Sequence, residues 1–290
     1  MLKIGIITDQ VSMDFEYALK VISGLGIKYV EIHSLWNKTI EDLTQSEATQ
    51  AQKLIKQFGL KVSNISSTLF LMCPLQESEK ELETFDDYFI TKMGDYEEHM
   101  RVLEYCIEFC EVFTTDKIRI FGFRREETLN EDMVVEMIKE KLQRPVELAE
   151  KKGVTLILEN CPHTYLGSGS VTRKVIENIN SSNLKALWDP GNALRTGKTP
   201  YPDDYRQIKE HILHIHAKDL APENSDYRPV PLGEGKINYR EIIKNLIDDG
   251  YKGVISLEPE YEDEAGGRVE SSRQCLRGIR KVLDSLEIEV

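Results

Sequence analysis

The sequence predicts a (β/α)8 barrel, the TIM-barrel architecture, and two observations carry that expectation. Apolar runs alternate with helix-like stretches eight times along the 290 residues. Each of the last four runs ends on a carboxylate or an imidazole. Strands buried on both faces read as near-continuous apolar runs, and parallel strands need a crossover, usually helical, between them. No composition break divides the eight units, so a single TIM-barrel domain over residues 1–290 is expected rather than two domains.

The strand candidates are LKIGII (2–7), KYVEIHS (28–34), LKVSNIS (60–66) and KIRIFGF (117–123). TLILEN (155–160), LKALWDP (184–190), ILHIHAKD (212–219) and GVISLEPE (253–260) complete the set. The helix over 44–59 has the clearest ends: Thr44 and Glu47 form a capping box, and Gly59 sits where a C′ glycine belongs. Between them Ala51, Leu54, Ile55 and Phe58 repeat at helical spacing. Met100, Leu103 and Ile107 mark the buried face of the helix before the fourth strand. Asn238 caps a helix carrying Ile242, Ile243, Leu246 and Ile247, ended by Gly250. In 130–153 the helical pattern contains Pro145, which should break or kink it. Two excursions interrupt the rhythm: residues 74–95, long and acidic, and residues 220–237, with glycines and Tyr227. Both follow the C-terminal ends of strands, where a barrel builds its active site. They read as a substrate lid or as solvated loops.

Composition narrows the function classes. The net charge of −13 argues against a phosphate-backbone binder, which needs a basic face. The five cysteines are odd in number and lack CxxC spacing, which indicates reduced thiols in the cytoplasm. Cys106 and Cys110, at i and i+4, read as core. No signal peptide and no run of membrane-spanning length is visible. The expected partner is a small molecule, neither nucleic acid nor membrane. The subunit number stays open, a homo-oligomer included.

Glu159, Asp189, His216 and Glu258 are the residues that close the last four strands. A charged group at a buried strand end is costly unless something pairs with it. Four in succession point to one shared cation, and three carboxylates with one imidazole suit Mn²⁺ or Mg²⁺, with Zn²⁺ or Co²⁺ also admissible. His214 shares a strand face with His216 and reads as a supporting or core residue. Lys218 falls on that face too, where it holds a substrate oxygen or pairs with Asp219 or another acid. Glu31 and His33 alternate on the second strand and either line the pocket floor or pair with Arg119. Trp36 and His163 are candidate substrate contacts, while Trp188 reads as packing. Arg268 and Arg273 read as surface residues of a helix, with an anionic substrate as the alternative. PLGEGK (231–236) lacks the glycine pattern of a phosphate loop.

The segments IGIITDQ, LILEN, WDPGNA, HIHAKD, PLGEGKINY and ISLEPEY, with AGGRVESSRQCLRGIRKVL closing the chain, resemble the sugar phosphate isomerase/epimerase superfamily of xylose isomerase-like barrels. The resemblance spans essentially the whole chain. It implies one divalent metal, commonly Mn²⁺, held by Glu159, Asp189, His216 and Glu258, with the two glutamates as the acid/base pair. Where several members carry D-x-x-H, this chain has Asp189-Pro-Gly-Asn192. Asn192 then takes the place of a substrate-binding imidazole, and its amide can still hydrogen-bond a hydroxyl.

The chemistry accounts for the residue types. Epimerising a ketose, or interconverting aldose and ketose, removes a proton from the carbon next to a carbonyl. A metal on the substrate oxygens stabilises the enediolate as charge develops. One carboxylate takes the proton and a second, on the opposite face, returns one. The expectation is therefore a metal-dependent sugar isomerase or epimerase of carbohydrate metabolism. A dehydratase of an inositol-derived ketone on the same site is the nearest alternative. An endonuclease-IV-like phosphodiesterase needs a three-zinc cluster and more histidines than the six present. A non-catalytic metal-stabilised binding protein is the fourth reading.

Overall fold

The computed structural model describes residues 2–76, 89–126 and 128–288. Eight parallel strands form the barrel: β1 (Lys3–Ile7), β2 (Tyr29–Ile32), β3 (Lys61–Ile65), β4 (Lys117–Phe121), β5 (Thr155–Glu159), β6 (Leu184–Trp188), β7 (Ile212–Ala217) and β8 (Val254–Leu257). Each pairs with its neighbours in chain order, and β1 closes the ring on β8 with Ile4 opposite Ile255 and Ile6 opposite Leu257. The expected (β/α)8 architecture is the one found. Gly5 has a specific reason at that seam: a Cβ there would stand 2.8 Å from Val254 Cγ1 and 2.9 Å from Ser256 Oγ.

The principal helices are α1 (Phe15–Gly24), α2 (Gln45–Gln57), α3 (Tyr96–Phe113), α4 (Glu131–Lys152), α5 (Gly169–Ile179), α6 (Pro190–Arg195), α7 (Tyr239–Asp248) and α8 (Gly267–Ser285). The expected caps are present. Thr44 and Glu47 bond reciprocally at the start of α2, and the Asn238 side chain accepts from the Glu241 N–H at the start of α7. Met100, Leu103, Cys106, Ile107 and Cys110 are buried on α3 and pack into the core around the barrel. Among the described residues, no helix is long and apolar enough to cross a membrane.

Pro145 does not break its helix, the first of the two outcomes expected from sequence. Helix α4 runs unbroken from Glu131 to Lys152 with Pro145 buried inside it. The proline lacks the N–H that would reach the Lys141 carbonyl. That carbonyl instead accepts from the Tyr96 hydroxyl at 2.7 Å, and the Lys141 ammonium lies 4.8 Å over the same ring. A neighbouring helix thus supplies the missing donor. Tyr96→Phe should destabilise the fold by about 1–2 kcal/mol through an unsatisfied carbonyl. In a Pro145→Ala background, where the helix regains its own donor, urea unfolding should show that loss shrinking towards zero.

The two excursions differ. Asp219–Glu223 pairs antiparallel with Asp226–Val230, so the second carries a hairpin and not only loop. Most of the first, residues 77–88, lies outside the described residues. Its return arm is anchored on His33, whose ring stacks on Phe89 at 4.3 Å with Nε2 3.1 Å from the Ile90 carbonyl oxygen.

Barrel interiors are usually filled by branched aliphatic side chains. This one also buries Glu31, Asn64, Arg119, His214, His216 and Ser256. Those polar groups need partners, and the partners build the site.

Candidate metal centre

Glu159 ends β5, Asp189 follows β6, His216 lies on β7 and Glu258 follows β8. All four are buried, and each offers a donor atom within 4.8 Å of the others'. The four strand-end residues singled out by sequence therefore converge at one mouth of the barrel.

Local sequence fixes each of them. Asp189 is the N-cap of α6, where its Oδ1 accepts the Asn192 N–H at 2.9 Å and Pro190 fills the first helical position. Its backbone is clamped by Asn160, whose Oδ1 accepts the Asp189 N–H and whose Nδ2 donates to the Asp189 carbonyl, both at 2.9 Å. Glu159 Oε2 accepts from Arg119 at 3.1 Å. The Arg119 guanidinium is itself held by the Ser66 and Ser67 carbonyls at 3.0 Å and lies over the Phe121 ring. Glu159 Oε1 faces Asn192 Nδ2 at 3.3 Å. His216 Nδ1 lies 3.4 Å from both Glu159 Oε1 and Glu258 Oε2.

Lys218 is buried at the same mouth. Its Nζ lies 2.8 Å from Glu258 Oε2, 3.1 Å from Asp189 Oδ2 and 2.5 Å from Glu260 Oε1. Gly191 makes the room, since a Cβ there would sit 2.5 Å from Lys218 Cγ. Burial opposes the ammonium charge, but the surrounding carboxylates outweigh it and hold Lys218 well above the ordinary lysine range. Burial also acts to raise Glu258, yet Lys218 and His216 bring its carboxyl below the usual range. Asp189 goes the other way: burial pushes it up to about 7, with Lys218 opposing and the neighbouring glutamates adding to the rise.

The donor set fits a divalent cation. Asp189 Oδ2, His216 Nδ1 and Glu258 Oε2 are buried and form no hydrogen bond among the described residues, although Lys218 Nζ stands near the two oxygens. Buried polar atoms left this way in a native site call for an ion or water. Three carboxylate oxygens and one imidazole nitrogen are ligands that Mn²⁺, Mg²⁺, Zn²⁺ and Co²⁺ accept.

A family model described as a xylose isomerase-like TIM barrel matches residues 19–279. The chain belongs to that family. An inosose dehydratase of Clostridium botulinum is 24% identical over 280 residues, covering 88% of this chain and 85% of that one. An L-ribulose-5-phosphate 3-epimerase of Escherichia coli is 22% identical over 268 residues, covering 89% and 87%. A match at 31% identity to a Methanocaldococcus jannaschii protein spans about half the length of each chain, 51% and 52%. Among solved structures, the IolI protein with a bound zinc atom superposes with a TM-score of 0.77 at 16% identity, over 98% of this chain and 99% of that one. A xylose isomerase-like barrel of Mycobacterium smegmatis in complex with magnesium gives 0.68 at 18% identity, over 93% and 89%. The family thus includes epimerases and dehydratases, and solved neighbours hold zinc or magnesium.

Within this xylose isomerase-like barrel, Asn192 and Lys218 join the four-residue cluster. His163 does not: it is exposed on the loop after β5, where its carbonyl accepts the Arg125 N–H. Trp36 is half-buried and packs edge-on against Phe15 at 5.7 Å. The suggested hydrogen-bonded pairing of Glu31 or His33 with Arg119 is replaced. Arg119 bonds Glu159, Glu31 bonds His214 and His216, and His33 bonds Asp9 at 2.5 Å. Lys218 pairs with Glu260 and its neighbours, not with Asp219. Trp188 is packing, as expected, with its Nε1–H donated to Asp204. Arg268 bonds Glu262 and the Asp9 carbonyl, and Arg273 pairs with Glu270 on α8.

Sequence reasoning missed Asn160, Arg119's hold on Glu159, and Glu260. Asn160 had a signal, since it stands beside Glu159 in LILEN. Glu260 gave none: it reaches Lys218 from a backbone at φ 55, in the left-handed region. A cavity of about 630 Å³ lined by Lys3, Tyr251 and Lys252 opens at the opposite, N-terminal mouth. The cluster of Glu159, Asp189, His216 and Glu258 lies at the other end.

Proposed function

We propose that this barrel is a divalent-metal-dependent isomerase or epimerase acting on a small sugar or a related hydroxy-carbonyl compound. One observation carries the reading: two buried glutamates from β5 and β8 flank one imidazole, with a third carboxylate and a lysine beside them. Glu159, Asp189, His216 and Glu258 are the proposed ligands, and Mn²⁺ is the proposed ion. When bound, such an ion supplies Lewis-acid polarisation of a substrate carbonyl.

The chain's own groups do the rest. Each glutamate would hold the cation through one oxygen and work through the other: Glu258 removes or returns the proton on the carbon next to the carbonyl, and Glu159 serves the opposite face. Arg119 fixes the plane of the Glu159 carboxylate from behind, which limits it to one approach. Lys218 Nζ and Asn192 Nδ2 supply donors for substrate oxygens. We assign Trp36 and His163 to contacts further out. We place the protein in the cytoplasm, with a small-molecule substrate and without nucleic acid or membrane.

Turnover in D₂O tests this. Proton transfer through an enediolate places solvent deuterium on the carbon next to the carbonyl, approaching stoichiometric incorporation in an epimer or an aldose–ketose isomer. Turnover without exchange means that a hydride moves within the substrate, and the two-glutamate mechanism falls. The dehydratase reading is favoured by the similarity to an inosose dehydratase over 88% of this chain. It predicts label together with loss of water, because eliminating a β-hydroxyl from the same enediolate needs only a different proton donor.

A further inference from the structure

We infer that Glu31 is a positioning residue for the cation site: it fixes the tautomer and ring orientation of His216 so that Nδ1, not Nε2, faces the metal. This rests on the metal reading above.

Glu31 lies on β2, and its side chain is fully buried inside the barrel. An isolated carboxylate there is costly, so donors must surround it. Three do. His214 Nε2 stands 2.6 Å from Oε1, His216 Nε2 stands 3.1 Å from Oε2, and Ser66 Oγ donates to Oε2 at 3.1 Å. An ionised carboxylate only accepts, so both imidazoles carry their proton on Nε2. In a neutral ring that leaves the lone pair on Nδ1, the form in which imidazole binds a metal. His216 Nδ1 is the atom that faces Glu159 and Glu258 and makes no hydrogen bond among the described residues. Metal-bound histidines generally donate their other N–H in this way, and loss of the acceptor costs about 10–100-fold in metal affinity.

The same three residues could instead be ligands of a second cation, since Glu31, His214 and His216 also present clustered donor atoms. The distances favour hydrogen bonds. Two donors sharing one cation at ordinary bond lengths stand roughly 3 Å or more apart, whereas Glu31 Oε1 and His214 Nε2 are 2.6 Å apart.

The test compares Mn²⁺ binding by calorimetry in the full-length wild type, Glu31→Gln and Ser66→Ala. A glutamine can accept from one ring but turns N–H donors towards the other. We expect one ion per chain throughout, a dissociation constant raised 10–100-fold in Glu31→Gln, and near-wild-type affinity in Ser66→Ala. Because the buried Gln variant could fail to fold, the tautomer is also read in the wild type, by NMR of ¹⁵N-histidine protein loaded with Zn²⁺. His216 should show a protonated Nε2 and a metal-shifted Nδ1. Unchanged affinity in folded Glu31→Gln, a metal-bound Nε2, or a second ion in the wild type overturns the inference and leaves the first site standing. A wild type that binds no ion overturns both readings together.

Discussion

Asp189→Ala and His216→Ala proteins are expected to lose tight binding of divalent metal. Each removes a proposed ligand atom: Asp189 Oδ2, which faces Lys218 Nζ at 3.1 Å, and His216 Nδ1, which makes no hydrogen bond among the described residues. The loss should exceed the roughly 100-fold expected from removing an outer partner. A ligand held at 100 times its dissociation constant stabilises the fold by about 2.7 kcal/mol. A chelator should therefore lower the melting temperature of the wild type and leave both variants unmoved. The binding should also depend on pH. Burial raises the Asp189 carboxyl to about 7 in the metal-free protein, and that group must shed its proton before it can coordinate. Burial opposes charge on His216, but Glu31, Glu258 and Glu159 outweigh it and hold the imidazole well above its ordinary range, so that ring must release a proton too and affinity should climb with pH through 7 and beyond. Calorimetry across pH 5.5–8.5 checks the slope. Elemental analysis showing no metal in wild type reconstituted with Mn²⁺, Mg²⁺, Zn²⁺ or Co²⁺ would sink the whole assignment.

Glu258→Gln separates ligation from proton transfer. The amide keeps an oxygen for the cation but cannot act as an acid or base near neutral pH, so part of the metal affinity should survive. Turnover should fall by on the order of 10²–10⁴, the usual contribution of a positioned acid or base. The wild-type carboxylate sits 2.8 Å from the Lys218 ammonium and 3.4 Å from His216 Nδ1. The glutamine loses the charge that those two groups face, so Lys218 should be held less firmly and the Michaelis constant should rise as well. Near-normal turnover with metal bound would remove Glu258 from the catalytic role.

The fold was legible because periodicity reports on burial. Eight apolar runs with capped helices between them left little choice of architecture. Thr44, Asn238 and Gly59 marked helix ends through local chemistry that acts before any tertiary contact. The strand-end residues were legible for a related reason, since a charge on an apolar strand is an anomaly that needs an explanation. What sequence could not supply was pairing across the barrel. Glu31 meets His214 and His216 some 185 positions away, and nothing local distinguishes that choice from Arg119. That Pro145 leaves its helix unbroken was hidden for the same reason. Its penalty is local, but the group that offsets it, the Tyr96 hydroxyl, belongs to another helix.

The Asp219 carboxylate gives the excursion after β7 a closed base. It accepts the N–H groups of Leu220, Gly233, Gly235 and Ile237, so one side chain binds both ends of the segment. The amides that could have cradled a foreign anion are already filled from within. The result is modular. The tip of the hairpin, around Asn224 and Ser225, is stapled off from the strand that presents His216 and Lys218. Lengthening a loop costs only the logarithm of its length. Residues can therefore be gained, lost or exchanged at that tip while the cation site keeps its shape. Rim and centre are free to change at different rates, and a barrel built this way can acquire new substrates without rebuilding its chemistry.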